Sequence, residues 1–183
     1  MAKFYTKISS RIHKFIEEQK MFFVATAPNN GRINLSPKGM DSFRVLDENR
    51  VAWLNVTGSG NETAAHLLEN KRITMMFCSF EGAPNILRLY GKGKEIKEGD
   101  DGWNELIGFF PETPGTRQIF DITIESAQTS CGMSIPFFEY KGEREELNDW
   151  ASSKGKEGIK DYWAEKNQES IDGLPTKILD LFS

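Results

Sequence analysis

The sequence predicts a mainly β, α+β domain: a six-stranded antiparallel sheet closed into a small barrel, with flanking helices and a helical C-terminal extension. Three observations carry this. Alternating and aromatic-rich segments recur with short turns between most of them. Only one helical-period segment interrupts these strands before about Phe110, and the last quarter changes texture to helices bearing aromatic residues. Strands in up-and-down order favour a closed antiparallel sheet over a doubly wound one, whose strands alternate with helices.

The elements follow in order. Ile8, Ile12, Phe15 and Ile16 form one apolar stripe on a helix from about Ser9 to Gln19, with His13 beside the stripe. Met21 to Ala27 and Arg32 to Ser36 pair across the turn Pro28-Asn29-Asn30-Gly31 as a hairpin. Ser42 to Leu46 and Val51 to Val56 are the next strands, separated by Asp47-Glu48-Asn49. Asn61 to Asn70 reads as a helix with Ala64, Ala65, Leu67 and Leu68 inward. Ile73 to Phe80 and Ile86 to Lys94 complete the six strands. A short helix around Gly102 to Phe109 leads to a further alternating segment, Gln118 to Thr129. Glu143 to Ser153 and Gly158 to Asn167 are helical and carry Leu147, Trp150, Ile159, Tyr162 and Trp163, and Lys177 to Phe182 forms a last short turn. With no Gly/Ser linker in view, residues 136–183 are expected to pack as an extension on a barrel domain of residues 1–135, or on a partner subunit.

At 183 residues and 38% apolar side chains, the chain can build a core without staples; about 70% of the unfolded surface is buried at this size. The 23 basic residues are interspersed with 27 acids for a net charge of -4, which argues against a nucleic-acid partner. The longest apolar runs are strand-sized, arguing against membrane insertion. The N-terminal residues lack a secretory signal's apolar core, and the expected location is cytoplasmic. Cys78 lies in the apolar run Thr74-Met75-Met76-Phe77-Cys78 and reads as a small buried hydrophobe. Cys131, in Ser130-Cys131-Gly132, is placed for exposure but has no basic neighbour in sequence to activate it. His13 and His66 accompany no metal-ligand spacing, so no metal site is expected.

The densest chemical signal is Thr57-Gly58-Ser59-Gly60-Asn61-Glu62-Thr63, between a strand and a helix. Glycines free backbone N–H groups, hydroxyls add donors, and the helix start is partially positive, so a phosphate fits there. Ser59 with Glu62 also reads as a capping box, which needs no ligand. The loop is neither a Walker loop, lacking its lysine, nor a dinucleotide fingerprint, lacking βαβ flanks. A second cluster, Asn34-Leu35-Ser36-Pro37-Lys38-Gly39, ends a strand with polar groups, a proline that removes a ladder donor, and a lysine free to face solvent or an anion.

Taken with Arg72-Ile73-Thr74-Met75-Met76-Phe77 and Leu87-Arg88-Leu89-Tyr90-Gly91-Lys92-Gly93, these clusters resemble the pyridoxamine 5'-phosphate oxidase-related flavoproteins over roughly residues 10–125. The resemblance implies an FMN-binding split barrel and a homodimer with the flavin between subunits. It assigns Asn34, Leu35, Ser36, Pro37 and Lys38 to the isoalloxazine edge. Thr57, Gly58, Ser59, Asn61 and Thr63 surround the FMN phosphate, with Arg88 as its charge partner, since a guanidinium holds two phosphate oxygens at once. Two departures from the oxidases stand out. Asn61-Glu62-Thr63 replaces their Ser-Arg-Lys clamp, and the segment from Lys166 to Ser183 lacks their Arg-x-His pattern, which argues against the vitamin substrate. Ser130 to Pro136 and the aromatic helices are candidates to cover the flavin, or to form core. The implied activity is hydride transfer between FMN and an unidentified small molecule, with NADH or NADPH as candidate donor. The alternative is a non-catalytic protein that binds, stores or senses a flavin, haem or deazaflavin.

Overall fold

The structure, a computed structural model, describes residues 2–180. Its strands are β1 (Lys3–Tyr5), β2 (Phe22–Thr26), β3 (Asn34–Lys38), β4 (Phe43–Val45), β5 (Arg50–Val56), β6 (Arg72–Cys78), β7 (Ile86–Ile96) and β8 (Thr116–Ser130). The helices are α1 (Ser10–Glu18), α2 (Glu62–Asn70), α3 (Trp103–Ile107) and α4 (Glu146–Lys166). All strand pairs are antiparallel, in the order β3-β2-β6-β7-β8-β5-β4, with β1 beside β8. The sheet curls into a half-barrel, in keeping with a split barrel. The described residues hold eight strands rather than the expected six. The alternating segment from Gln118 becomes β8, whose one edge takes β7 while the other is shared by β5 and β1. β1 is three residues long and too short to show a period.

The principal core is the concave face, where Phe22, Val24, Trp53, Met75, Phe77 and Phe120 meet the buried stripe Ile8, Ile12 and Ile16. Ser9 caps α1 by accepting from Ile12 N at 3.4 Å. Phe43 joins the ends of the curled sheet through edge contacts to Phe22 and Phe77, at 5.0 and 5.1 Å between centroids. Ile119 is also fully buried, because it packs with Leu54, Ile96 and Leu106 in a second core beneath α3. The strict in-and-out alternation expected for this segment therefore fails in its first half, where both sheet faces are covered. On α2 the buried residues are Thr63, Ala64, Ala65, His66 and Leu67, and Leu68 faces out.

Gly155, at φ +64°, breaks α4 into the two expected helices. Ala151, Ile159, Trp163 and Ile178 form a third core. After Asn167 the chain makes a tight hairpin, bridged between Glu169 and Pro175, that lies as a strap against the loop before α2. The final turn begins as expected after Lys177; Leu181 and Phe182 lie outside the described residues. Among the described residues no helix is long and apolar enough to cross a membrane.

Candidate functional site

Two of the sequence clusters converge on one cavity of about 710 Å³, inside the range of roughly 300–1,000 Å³ typical of small-molecule sites. β3 is an edge strand, and its Asn34, Leu35, Ser36 and Lys38 line one wall. Pro37 shares the edge but does not line the cavity. Asn55 and the loop residues Gly58 and Ser59 form the opposite wall, and Lys166, Ser170 and Ile171 of the C-terminal segment close a third side.

The floor holds Arg117, which sequence reasoning missed. At the start of β8, Asn55 pairs with Gln118 and Val56 with Thr116, leaving Arg117 as the extra residue of a β-bulge. A bulge re-aims a side chain, and here it directs a guanidinium into the interior. Arg117 is 5% exposed, and its Nη1 donates to Gly60 O at 3.1 Å and to Asn167 Oδ1 at 2.7 Å. Its Nε is buried without a partner, and among the described residues no carboxylate lies within ion-pair distance. Burial lowers its pKa to about 10, against the opposing pull of Glu95 and Tyr162. Across the cavity, burial and then the Arg117 charge lower Lys38 to about 8, with Nζ 5.1 Å from the Trp53 ring centroid. A buried cation with no carboxylate in ion-pair contact is costly, and Arg117 together with Lys38, whose charged form it disfavours, makes a pole suited to an anion. The outer cations are already paired, Arg32 with Asp172 and Lys166 with Glu165.

The loop departs from the capping box. Asn61, not Ser59, occupies the cap position of α2, without a side-chain cap bond. The Glu62 carboxylate instead accepts from Ile171 N at 3.0 Å, fastening the strap. Thr57 Oγ1 donates to Gly115 O and accepts from Trp163 Nε1, both at 2.8 Å. Gly58 O accepts from Asn167 Nδ2 at 3.1 Å, and Gln118 Nε2 donates to Asn61 Oδ1 at 2.7 Å. Asn61 Nδ2 and Gln118 Oε1 remain buried without partners.

With this geometry in place, comparison with known proteins identifies the lineage. A family model described as pyridoxamine 5'-phosphate oxidase matches residues 8–131. The chain belongs to the pyridoxamine 5'-phosphate oxidase family. It is 36% identical to the pyridoxamine 5'-phosphate oxidase family protein ustO of Aspergillus flavus, over 96% of this chain and 78% of that one. The fold is shared with HupZ of Group A Streptococcus, at TM-score 0.54 and 20% identity over 67% of this chain and 99% of that one. A putative pyridoxamine 5'-phosphate oxidase from Lactobacillus delbrueckii matches at TM-score 0.54 and 18% identity, over 67% and 94%.

Of the residues that the family resemblance nominates, Asn34, Leu35, Ser36, Lys38, Gly58 and Ser59 line the cavity. Thr57 and Asn61 are taken up by internal bonds, and Thr63 is buried on α2 away from the lining. Arg88 stands elsewhere, on the outer face of β7, with Nη1 3.4 Å from Ser130 Oγ. Trp150, Tyr162 and Trp163 belong to the third core, and neither they nor residues 130–136 line this cavity. Cys78 is buried, with its thiol pKa raised by burial, and Cys131 is exposed; both are free. His66 is fully buried, with Nδ1 3.0 Å from Thr26 Oγ1 and Nε2 without a hydrogen bond at 4.0 Å from Glu62 Oε2, and burial lowers its pKa. Among the described residues no group of three or more His, Cys, Asp or Glu is placed to hold a metal. Arg117 escaped notice because a cation opening an apolar strand reads as a surface end; its only sequence signal is Gly115-Thr116-Arg117-Gln118, polar residues entering a strand otherwise rich in isoleucine.

Proposed function

We propose that the chain is an FMN-dependent oxidoreductase that holds the cofactor's phosphate at the Lys38–Arg117 pole and its ring along β3. The observation that carries this reading is Arg117: a buried guanidinium with an unpartnered Nε on the floor of a cavity of sufficient size. The residues fit a phosphomononucleotide. Lys38 and Arg117 supply two cationic contacts, Ser59 a hydroxyl on the exposed side of the loop, and Asn34, Ser36 and Asn55 polar groups for the edge of a flat ring. Bound FMN would supply hydride transfer at its N5. The chain binds the anionic tail, orients the head against β3, and excludes water from the inner end by burying the pole.

Arg88 enters the same reading through a second subunit. Pro37, Phe23, Met76, Arg88 and Gln128 are successive cross-strand partners over β3, β2, β6, β7 and β8, so they form one row on the outer face. A second copy packed there would cover the row and bring Arg88 to a cavity of its partner.

An absorption spectrum of the purified protein tests the cofactor, with a flavin band expected. Arg117→Met and Lys38→Met are each expected to weaken FMN binding by about 1–3 kcal/mol, as for loss of a charge-assisted bond. A colourless protein that takes up no added FMN overturns the reading. NADH- or NADPH-driven turnover above that of free FMN separates an enzyme from a carrier.

A further inference from the structure

We infer that the anion pole is completed by the C-terminal strap, and that Asn167 is the positioning residue that holds the Arg117 guanidinium and the glycine loop in register. The inference deepens the proposed anion site and rests on it.

Asn167 is fully buried, yet it lies at the end of α4, 50 residues from Arg117 in sequence. Its side chain serves two parts of the site at once. Oδ1 accepts from Arg117 Nη1 at 2.7 Å, while Nδ2 donates to Gly58 O at 3.1 Å. The backbone is held as well, because Thr176 Oγ1 donates to Asn167 O at 2.6 Å and closes the strap hairpin. One helical turn earlier in α4, Trp163 Nε1 donates to Thr57 Oγ1, and Glu62 holds Ile171 N from the other side of the loop. The strap's far end is pinned to the β2–β3 hairpin by the Arg32–Asp172 pair.

The choice of an amide matters. A neutral acceptor fixes the guanidinium through one nitrogen and leaves its charge intact. A carboxylate in the same place would make an ion pair, satisfy Arg117 internally and cancel the pole. Nε and Nη2 take no part in the two bonds that Arg117 makes, so its orientation is set from one side only. Asn167 therefore fixes the cation without neutralising it, which is what an anion receptor requires. Lys166, Ser170 and Ile171 lie on the cavity wall beside it, so the strap is part of the receptor and not a cover added to it.

The test compares Asn167→Asp with Asn167→Ala in the full chain. The readout is the rise in thermal unfolding midpoint produced by inorganic pyrophosphate, a measure of binding to the folded state. Asn167→Asp keeps size and an acceptor but adds charge; it is expected to weaken pyrophosphate about thirtyfold or more. Asn167→Ala leaves Arg117 charged and still bonded to Gly60 O; it is expected to lose about threefold to tenfold. A packing role alone predicts the reverse order, with alanine worse than aspartate, and that order overturns the inference. Equal midpoint shifts in wild type and Asn167→Asp overturn it also. Should Asn167→Asp not fold, Asn167→Ala decides: an unchanged response to pyrophosphate refutes the role. A wild-type protein unmoved by pyrophosphate removes the anion pole together with this inference. Wild type stabilised by pyrophosphate but unable to take up FMN leaves the inference standing and removes only the cofactor assignment.

Discussion

Glu95, on β7, sits behind the Arg117 pole with Oε1 buried and unpartnered. Burial raises its pKa from 4.5 to about 7, against Lys97 and Arg117, which lower it; Asp100 and Asp180 push it further up. In the unfolded chain the carboxyl ionises near the ordinary value, so between about pH 4.5 and about 7 the folded state binds the extra proton. Folding stability therefore falls as pH rises through that window and levels off above it, by on the order of 3 kcal/mol at most. Glu95→Gln, a neutral stand-in for the protonated acid, is expected to flatten this part of the unfolding-midpoint profile and to exceed wild type at pH 8. A profile that keeps the wild-type slope would show that Glu95 does not titrate there. Lys38 works in the opposite sense. Its pKa is lowered to about 8, so the buried charge destabilises the fold below that pH and the penalty is relieved as pH rises toward the unfolded value of 10.5. The same loss of charge should weaken anion binding from about pH 8 upward, and Lys38→Met should abolish that decline in a titration with FMN.

At the scale of elements, two bulges set the geometry of β8. One places Arg117, and the other lies opposite the register shift between Tyr90 and Gly91 on β7. Gly91 does not need glycine for its φ angle. It needs glycine for space, since a Cβ there would lie 2.2 Å from Thr123 O. Gly91→Ala must therefore push two central strands apart, and a loss of about 2–4 kcal/mol is expected in chemical denaturation. A change under about 0.5 kcal/mol would mean that the strands yield freely. Most element types and positions were legible: the strands from Phe22 to Ile96, α2, and the two halves of α4 fall within a few residues of their expected places, because each buries a periodic face. β1 was not legible, since three residues beside β8 take their structure from the partner strand. The failed capping box has the same cause, as Glu62 finds a backbone donor in a strap more than a hundred residues away.

For the molecule as a whole, the outer row from Pro37 to Gln128, with Phe4 70% exposed beside its β8 end, is the face on which a second copy is expected. Phe23→Glu should convert a dimer to a monomer in size-exclusion chromatography while leaving the unfolding midpoint of the monomer near that of the wild type. Wild-type protein that elutes as a monomer at micromolar concentration would refute this assembly and the trans role of Arg88. The two sequence clusters both line the cavity. β3 contributes Asn34, Leu35, Ser36 and Lys38 to the cavity. The loop from Thr57 contributes Gly58, Ser59, Gly60 and Glu62, while Thr57 itself is taken up by Gly115 O and by Trp163 Nε1 of α4.

By itself the sequence determined the class of fold, the kinship to the pyridoxamine 5'-phosphate oxidase family, the polar edge at Asn34 to Lys38 and the glycine loop, since each is written in the order and spacing of its residues. Only the tertiary structure decided which cation of the chain lines the cavity. Arg88 and Arg117 are equally basic on paper, but strand register turns the first to the outer face and a single bulged residue turns the second inward. The amide that orients that cation comes from a helix end 50 residues farther along, and no local pattern records a contact between such distant segments.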